Sequence, residues 1–229
     1  MFNNVVVGVG GHESWRDAIA LAKQLLSENG RLTLANVFVF GAEPHLSNGY
    51  SRDIEALERA RAAQLLQGAR AVAGIPARAR WRGADSVGRG LHELAESLGA
   101  DLLVVGASQQ GLIGRALGAD NTRAALNGAP CAVAVAAAGY AQRAGEIRRV
   151  RVLGERSAEL LVGDGGSADL LVVGSHGRGP LGRLLDGRRY RTLARNVQRP
   201  VLVLPRGADP LAAAEALSYG ESPVRAELR

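Results

Sequence analysis

The chain has little of several things that would each point to a particular role. Cysteine occurs once, at Cys131, which excludes an internal disulfide framework and fits a reducing cytoplasm. That cysteine opens a predicted buried strand and reads as a packed, inert thiol. Aromatic residues make up only 4% of the 229 and do not interleave with the basic ones, which argues against a base-stacking nucleic-acid surface. Four histidines, His12, His45, His92 and His176, stand apart without metal-ligand spacing. No apolar run approaches the ~18 residues of a membrane span. The strand-like Val5-Val6-Val7 follows Met1 too closely for a secretory signal. Lysine is nearly absent, Lys23 being the only one, so positive charge is almost all arginine.

That charge is unevenly spread. Residues 143–206 hold 13 arginines against 6 acids, whereas the remainder holds 15 basic and 16 acidic residues. The surplus in the second half marks an anion site, a nucleic-acid surface or a solvated face.

What the chain does have is a repeated strand. Ala100-Asp101-Leu102-Leu103-Val104-Val105-Gly106 recurs, residue for residue, as Ala168-Asp169-Leu170-Leu171-Val172-Val173-Gly174. A short apolar run led in by Asp and closed by Gly reads as a strand buried on both faces. The offset of 68 persists without a gap: Gly111, Gly114 and Arg115 recur as Gly179, Gly182 and Arg183, and Val133 and Val135 as Val201 and Val203. A register held over so many positions is an internal duplication, with too few copies for a solenoid. Each strand runs into a glycine-bearing loop and a predicted helix, an order that aims backbone N–H groups at an anion.

Taken in order, the first half predicts strict strand–helix alternation. Strands fall at Val5 to Val9, Leu32 to Phe40, Ala77 to Trp81, Leu102 to Gly106 and Cys131 to Ala136. The helices between them start near Ser14 (as cap), Arg52, Val87 and Asp120; Asn29-Gly30 stops the first and Gly74-Ile75-Pro76 the second. Such alternation demands a parallel sheet covered on both sides, with the ligand crevice past the carboxyl ends of the strands. The second half is shorter. Arg149 to Leu153 resembles the strand at Ala77 to Trp81, and the first strand, first helix, second strand and long helix have no visible counterpart. A remnant of three strands cannot stand alone, so it is expected to pack on the first half through Cys131 to Ala136 and Val201 to Leu204. From Gly207 the sequence predicts one alanine-rich helix, Pro210 to Leu217, then frayed polar residues. The expected architecture is therefore α/β: a doubly wound, mostly parallel five-stranded sheet with helices on both faces, plus a truncated second copy. The units are 1–140, 141–206 and the tail 207–229.

Together, the opening Val5-Val6-Val7-Gly8-Val9-Gly10-Gly11, the paired Asp-Leu-Leu-Val-Val-Gly strands, the loop from Gly174 to Arg183 and the closing Arg199-Pro200-Val201-Leu202-Val203-Leu204-Pro205 resemble the universal stress protein family in tandem form. The likeness runs from about Val5 to Arg206. It implies a cytoplasmic, non-catalytic stress-response module that binds an adenine nucleotide such as ATP, or another small anion, and that self-associates through its last strands. Slow ATP hydrolysis, with Asp120 or Asp186 holding a metal, and a ligand-free protein scaffold are the alternatives. Neither membrane nor nucleic acid is expected as a partner.

In nucleotide-binding members the resemblance implies Gly-x2-Gly-x9-Gly-Ser/Thr after the fourth strand and an Asp at the end of the first. Glycines let the backbone turn and approach phosphate, and the helix they open supplies N–H donors. On this chain the first half has Gly10 at the Asp position and keeps Gly106, with Gln109, Ala119 and Asp120 at the remaining ones. The second half keeps Gly174, Gly177 and Gly187, then places Arg188 at the hydroxyl position, where it could meet phosphate bidentately. Val37, Gly111, Arg115, Gly179 and Arg183 complete the implied binding set. Arg115 and Arg183, at one place in both repeats, serve either a shared structural bond or phosphate. Arg188, Arg191 and Arg195 share a helical face that is either solvated or anion-binding. Ser175 and His176 are neighbours in sequence, which seldom makes a nucleophile–base pair; no catalytic or metal-ligating residues are assigned. On this reading neither half has a complete site, since the second lacks the strands that would wall the nucleoside.

Overall fold

The computed structural model describes residues 1–10, 12–39, 48–107, 129–143, 145–153, 168–174, 199–218 and 224–226. In chain order the elements are β1 (Phe2–Gly8), α1 (Ser14–Leu25), β2 (Leu26–Val39), α2 (Asn48–Ala73), β3 (Ala77–Ala84), α3 (Val87–Leu98), β4 (Leu102–Gly106), β5 (Ala132–Ala136), α4 (Tyr140–Arg143), β6 (Val150–Leu153), β7 (Leu170–Gly174), β8 (Val201–Leu204), α5 (Pro210–Leu217) and β9 (Val224–Ala226). They form one nine-stranded sheet in the order β3-β2-β1-β4-β5-β8-β7-β6-β9. Every neighbouring pair is parallel except β5 and β8. The first five strands therefore have the doubly wound layout that alternation demanded.

The repeated strand is buried on both faces, as its composition requires. Leu102 and Val104 join Val5, Val7, Ile19, Leu25 and Leu66 in the core under α1 and α2. Leu103 and Val105 point the other way, to Val6, Leu91, Leu94 and Val133 under α3. Each such aliphatic side chain contributes about 1.5–3 kcal/mol on burial. Local chemistry sets the helix ends. Ser86 accepts from the Arg89 N–H at 3.3 Å to start α3, and Gly99, at φ 60°, ends it in the left-handed region. Asp209 accepts from the Leu211 N–H at 2.9 Å with Pro210 next in line, which starts α5 at the predicted position.

Helix α1 departs from expectation at both ends. Ser14 is its first residue rather than its cap; the cap position is Glu13, with no side-chain hydrogen bond. The helix gives way at once to extended chain at Leu26, and the Asn29-Gly30 turn becomes an irregularity in β2, where Phe2 faces Leu26 but Asn4 faces Arg31. The predicted helices near 120–127 and 188–197 lie outside the described residues.

Between β5 and β8 the repeats meet. Ala134 faces Leu202, its own equivalent at the 68-residue offset, and Val133 faces Val203 while Val135 faces Val201. Each residue meets the copy of its partner, which is the isologous contact of a two-fold pair, here made within one chain. These are the strands predicted to pack the two halves together, and they do. They are also the strands expected to serve self-association. In the structure each is flanked on both sides, β5 by β4 and β8, β8 by β5 and β7.

The seat of β6 corrects a sequence expectation. By likeness to Ala77–Trp81 it should copy β3, an edge strand. Instead it pairs with β7 as β1 pairs with β4: Val150 faces Leu170 as Val5 faces Leu102. The lead-in Asp of each repeat fixes this. Asp101 accepts from the Asn3 N–H at 2.7 Å and the Asn4 N–H at 2.9 Å, and its own N–H donates to Asn4 O at 3.0 Å. Asp169 accepts from the Arg148 N–H at 3.2 Å and the Arg149 N–H at 2.9 Å, and its N–H donates to Arg149 O at 2.8 Å. A carboxylate that collects two backbone donors pins the start of the adjacent strand, whatever that strand's sequence. The first strand thus has a counterpart after all. The tail is corrected too: beyond α5 it forms β9, parallel to β6.

Candidate functional site

The strand order reverses between β1 and β4, so the crevice of the first repeat opens past Gly8 and Gly106. Val9 continues β1, its N–H donating to Ala35 O at 2.7 Å. Its carbonyl accepts from the buried Asn36 amide at 2.8 Å, so the floor of the crevice has its polar groups satisfied. Ala107 is tied across to β5 by its N–H on Ala136 O at 2.9 Å.

Of the residues predicted to bind here, Gly10 is exposed, and a Cβ built on it would meet nothing within 4 Å. Among the described residues nothing occupies the place where the resemblance implies an acid. Gly106 is a glycine for a different reason. A Cβ on it would lie 2.1 Å from Ser14 O and 2.6 Å from Ser14 C, because the first turn of α1 rests directly on the end of β4. Val37 is half-buried against α3, where a Cβ on Gly90 would come within 2.5 Å of its Cγ1. The structure thus brings Gly10 and Gly106 to the ends of β1 and β4, and gives Gly106 and Val37 packing roles. Gln109, Gly111 and Arg115 lie outside the described residues.

In the second repeat Gly174 closes β7 and is buried. Gly177, Gly179, Arg183, Gly187 and Arg188 lie outside the described residues, as do Ser175 and His176. By place in the sheet, the carboxyl ends of β6 and β7 correspond to those of β1 and β4. Because β5 and β8 run antiparallel, the two pairs of strand ends lie at opposite ends of the sheet.

Sequence reasoning passed over the polar groups that hold the two halves together. Asp17, buried on α1, accepts from the Gly139 N–H at 2.9 Å and the Ala141 N–H at 2.8 Å, at the start of α4. In the last turn of the same helix, Gln24 Oε1 accepts from the Ile147 N–H at 3.1 Å. The connection between repeats is thus strapped along α1. Arg143 folds back onto the carbonyls of Ala138 and Gly139. The only sequence signal for this strap was an acid on the apolar face of a helix.

Among the described residues three groups have shifted ionisation. Burial pushes the Cys131 thiol up to about 11, with the Asp101 charge adding to it, so it is protonated at neutral pH. Burial, then the Asp169 charge, pushes the Tyr140 hydroxyl up to about 12. For Asp169, burial works upward, but the hydrogen bonds from Arg149 and Arg148 outweigh it and hold the carboxyl below its usual value. Among the described residues no group of three or more His, Cys, Asp or Glu could hold a metal ion, and no helix is long and apolar enough to cross a membrane. A groove of about 390 Å³ between α1 and α2, lined by Trp15, Arg16, Arg61, Gln64, Leu65 and Gly68, holds no such group either. Its cations are engaged, Arg16 over the Trp15 ring at 4.7 Å and Arg61 with Glu58 at 2.6 Å.

A sheet that is doubly wound over its first five strands and joined through β5 and β8 to a shorter second repeat defines a tandem α/β protein. The model of the universal stress protein family matches residues 1–137 and again 134–205. The chain belongs to that family, in a tandem-repeat form. Among solved structures, a universal stress protein from Archaeoglobus fulgidus is similar over 90% of this chain and 97% of its own, at 14% identity and a TM-score of 0.59. A universal stress protein in complex with cAMP is 27% identical over 58% of this chain and 94% of its own, with a TM-score of 0.39. No curated protein matches the chain.

Proposed function

We propose that this protein is a non-catalytic, cytoplasmic stress-response module that binds an adenine nucleotide, ATP or a relative of it, in its second repeat. The observation that carries this reading is a match between motif and fold. The second repeat keeps Gly174, Gly177 and Gly187, and the strands whose absence would leave that site without walls have replacements: β6 beside β7, and β9 beside β6. The first repeat has lost the motif at Gly10, Gln109 and Ala119, and its retained Gly106 is accounted for by packing. The arginine surplus of residues 143–206 favours an anion in the same half. With β5 and β8 paired inside one chain, a further copy would have to join at another edge.

Calorimetry with ATP, AMP and cAMP on freshly desalted protein tests the reading. One site per chain is expected, lost in Gly177→Val and kept in Gln109→Val. Absence of heat at millimolar nucleotide would refute it and leave a scaffold.

A further inference from the structure

We infer that the segment from Gly207 replaces the α1–β2 unit missing from the second repeat, and that its docking governs whether that repeat binds its ligand. In the first repeat α1 packs across β1 and β4, and β2 flanks β1 on the side away from β4. In the second, α5 packs across β6 and β7, and β9 flanks β6 on the side away from β7. The correspondence extends to direction and face. Strand β9 is parallel to β6 as β2 is to β1. Ala214 and Leu217 of α5 lie in the same core cluster as Ile19 and Leu25 of α1, with Val152 and Leu170 beneath them. A helix followed by a parallel strand thus fills both vacated places, delivered from after β8 rather than after β6.

The attachment is slight. Strand β9 pairs over three residues, Val224 to Ala226, whereas β2 follows β1 from Phe2 to Gly8. Helix α5 has 8 residues against 12 in α1, and the residues it buries are Ala214 and Leu217. Held, among the described residues, by so short a ladder and two buried side chains, the unit opens before the rest of the sheet. When it leaves, the edge of β6 is bare and the second crevice loses the wall that β2 gives the first. Ligand and segment then stabilise each other, and the coupling is reciprocal.

This inference rests on the nucleotide reading above, and one set of measurements separates the two. ATP binding by calorimetry and amide exchange at Val150 to Leu153 are compared in the full chain, in a chain ending at Arg206, and in Arg225→Pro, which keeps the length but blocks the β9 ladder. Both altered chains should bind ATP at least tenfold more weakly and exchange at β6 at least tenfold faster. ATP should slow β6 exchange in the full chain by a similar factor. Trp15 and Trp81 both lie in the first repeat, so unchanged tryptophan fluorescence certifies that repeat, and unchanged amide protection at Leu171 to Val173 certifies that β7 stays folded. Equal ATP affinity in all three chains overturns this inference while sparing the nucleotide reading. No ATP binding by the full chain overturns both.

Discussion

Gly106 separates a binding role from a packing role, because the two predict opposite responses to one methyl group. In Gly106→Ala the new carbon would sit 2.1 Å from Ser14 O and 2.6 Å from Ser14 C, both backbone atoms of the first turn of α1. Ordinary contact needs about 3.5 Å, so the start of the helix must withdraw by more than ~1 Å. Trp15, Ala18, Ile19, Ala22 and Leu25 ride on that helix and are almost fully buried, so the misfit spreads along its whole inner face. Overpacking of this kind costs about 3 kcal/mol, equivalent to a fall in Tm of roughly 6–12 °C for a chain of this size. Thermal unfolding followed by tryptophan fluorescence is the direct assay, since Trp15 adjoins the site of the clash. Gly10→Ala is the control: its Cβ meets nothing within 4 Å among the described residues, and Tm should hold within ~1 °C. If Gly106→Ala melts like the parent and merely loses nucleotide, the packing explanation is refuted and Gly106 belongs to a ligand.

Asp17→Ala removes the acceptor of two part-buried N–H donors, those of Gly139 and Ala141, and should cost about 1–2 kcal/mol in a urea melt, with faster amide exchange at both. Asp169 has a folded-state pKa below its unfolded value. Its contribution is therefore complete above the unfolded pKa of about 4 and is lost as pH falls through the folded one. Asp169→Asn should lower stability at pH 7 by about 1 kcal/mol and flatten the acid limb below roughly pH 4; a parallel acid profile would contradict the hydrogen-bond account. Cys131, raised to about 11, should react with iodoacetamide at pH 8 about 100-fold more slowly in the native protein than in urea. A native rate near the denatured one would mean the thiol is not sealed.

The first repeat was legible from its sequence because burial there leaves a periodic trace. Strictly alternating apolar runs and helical stripes gave the strands and helices among the described residues of 1–137, and Val133 and Val135 at a constant offset from Val201 and Val203 announced how the halves would join. The glycine motif was legible as a pattern, though not the reason for each member: nothing in the letter at position 106 distinguishes a glycine that admits a phosphate from one that admits a helix.

The second repeat was misjudged because its places in the sheet are not filled in chain order. Arg149 to Leu153 looks like β3, and it sits where β1 sits; what decides its seat is the carboxylate of Asp169 collecting the Arg148 and Arg149 N–H groups, the bond pattern that Asp101 makes with Asn3 and Asn4. Those donors are backbone, so side-chain likeness carries no trace of the match. The segment after Gly207 shows the same blindness from the other side. Alanine-rich Leu211 to Leu217 and the short Val224-Arg225-Ala226 hardly resemble α1 and β2, yet an uncovered pair of parallel strands needs only some helix on its face and some strand on its edge. A duplicated fold can therefore lose its amino-terminal half and regain the shape from unrelated sequence at the other end, provided the paired aspartates keep β6 and β7 in register.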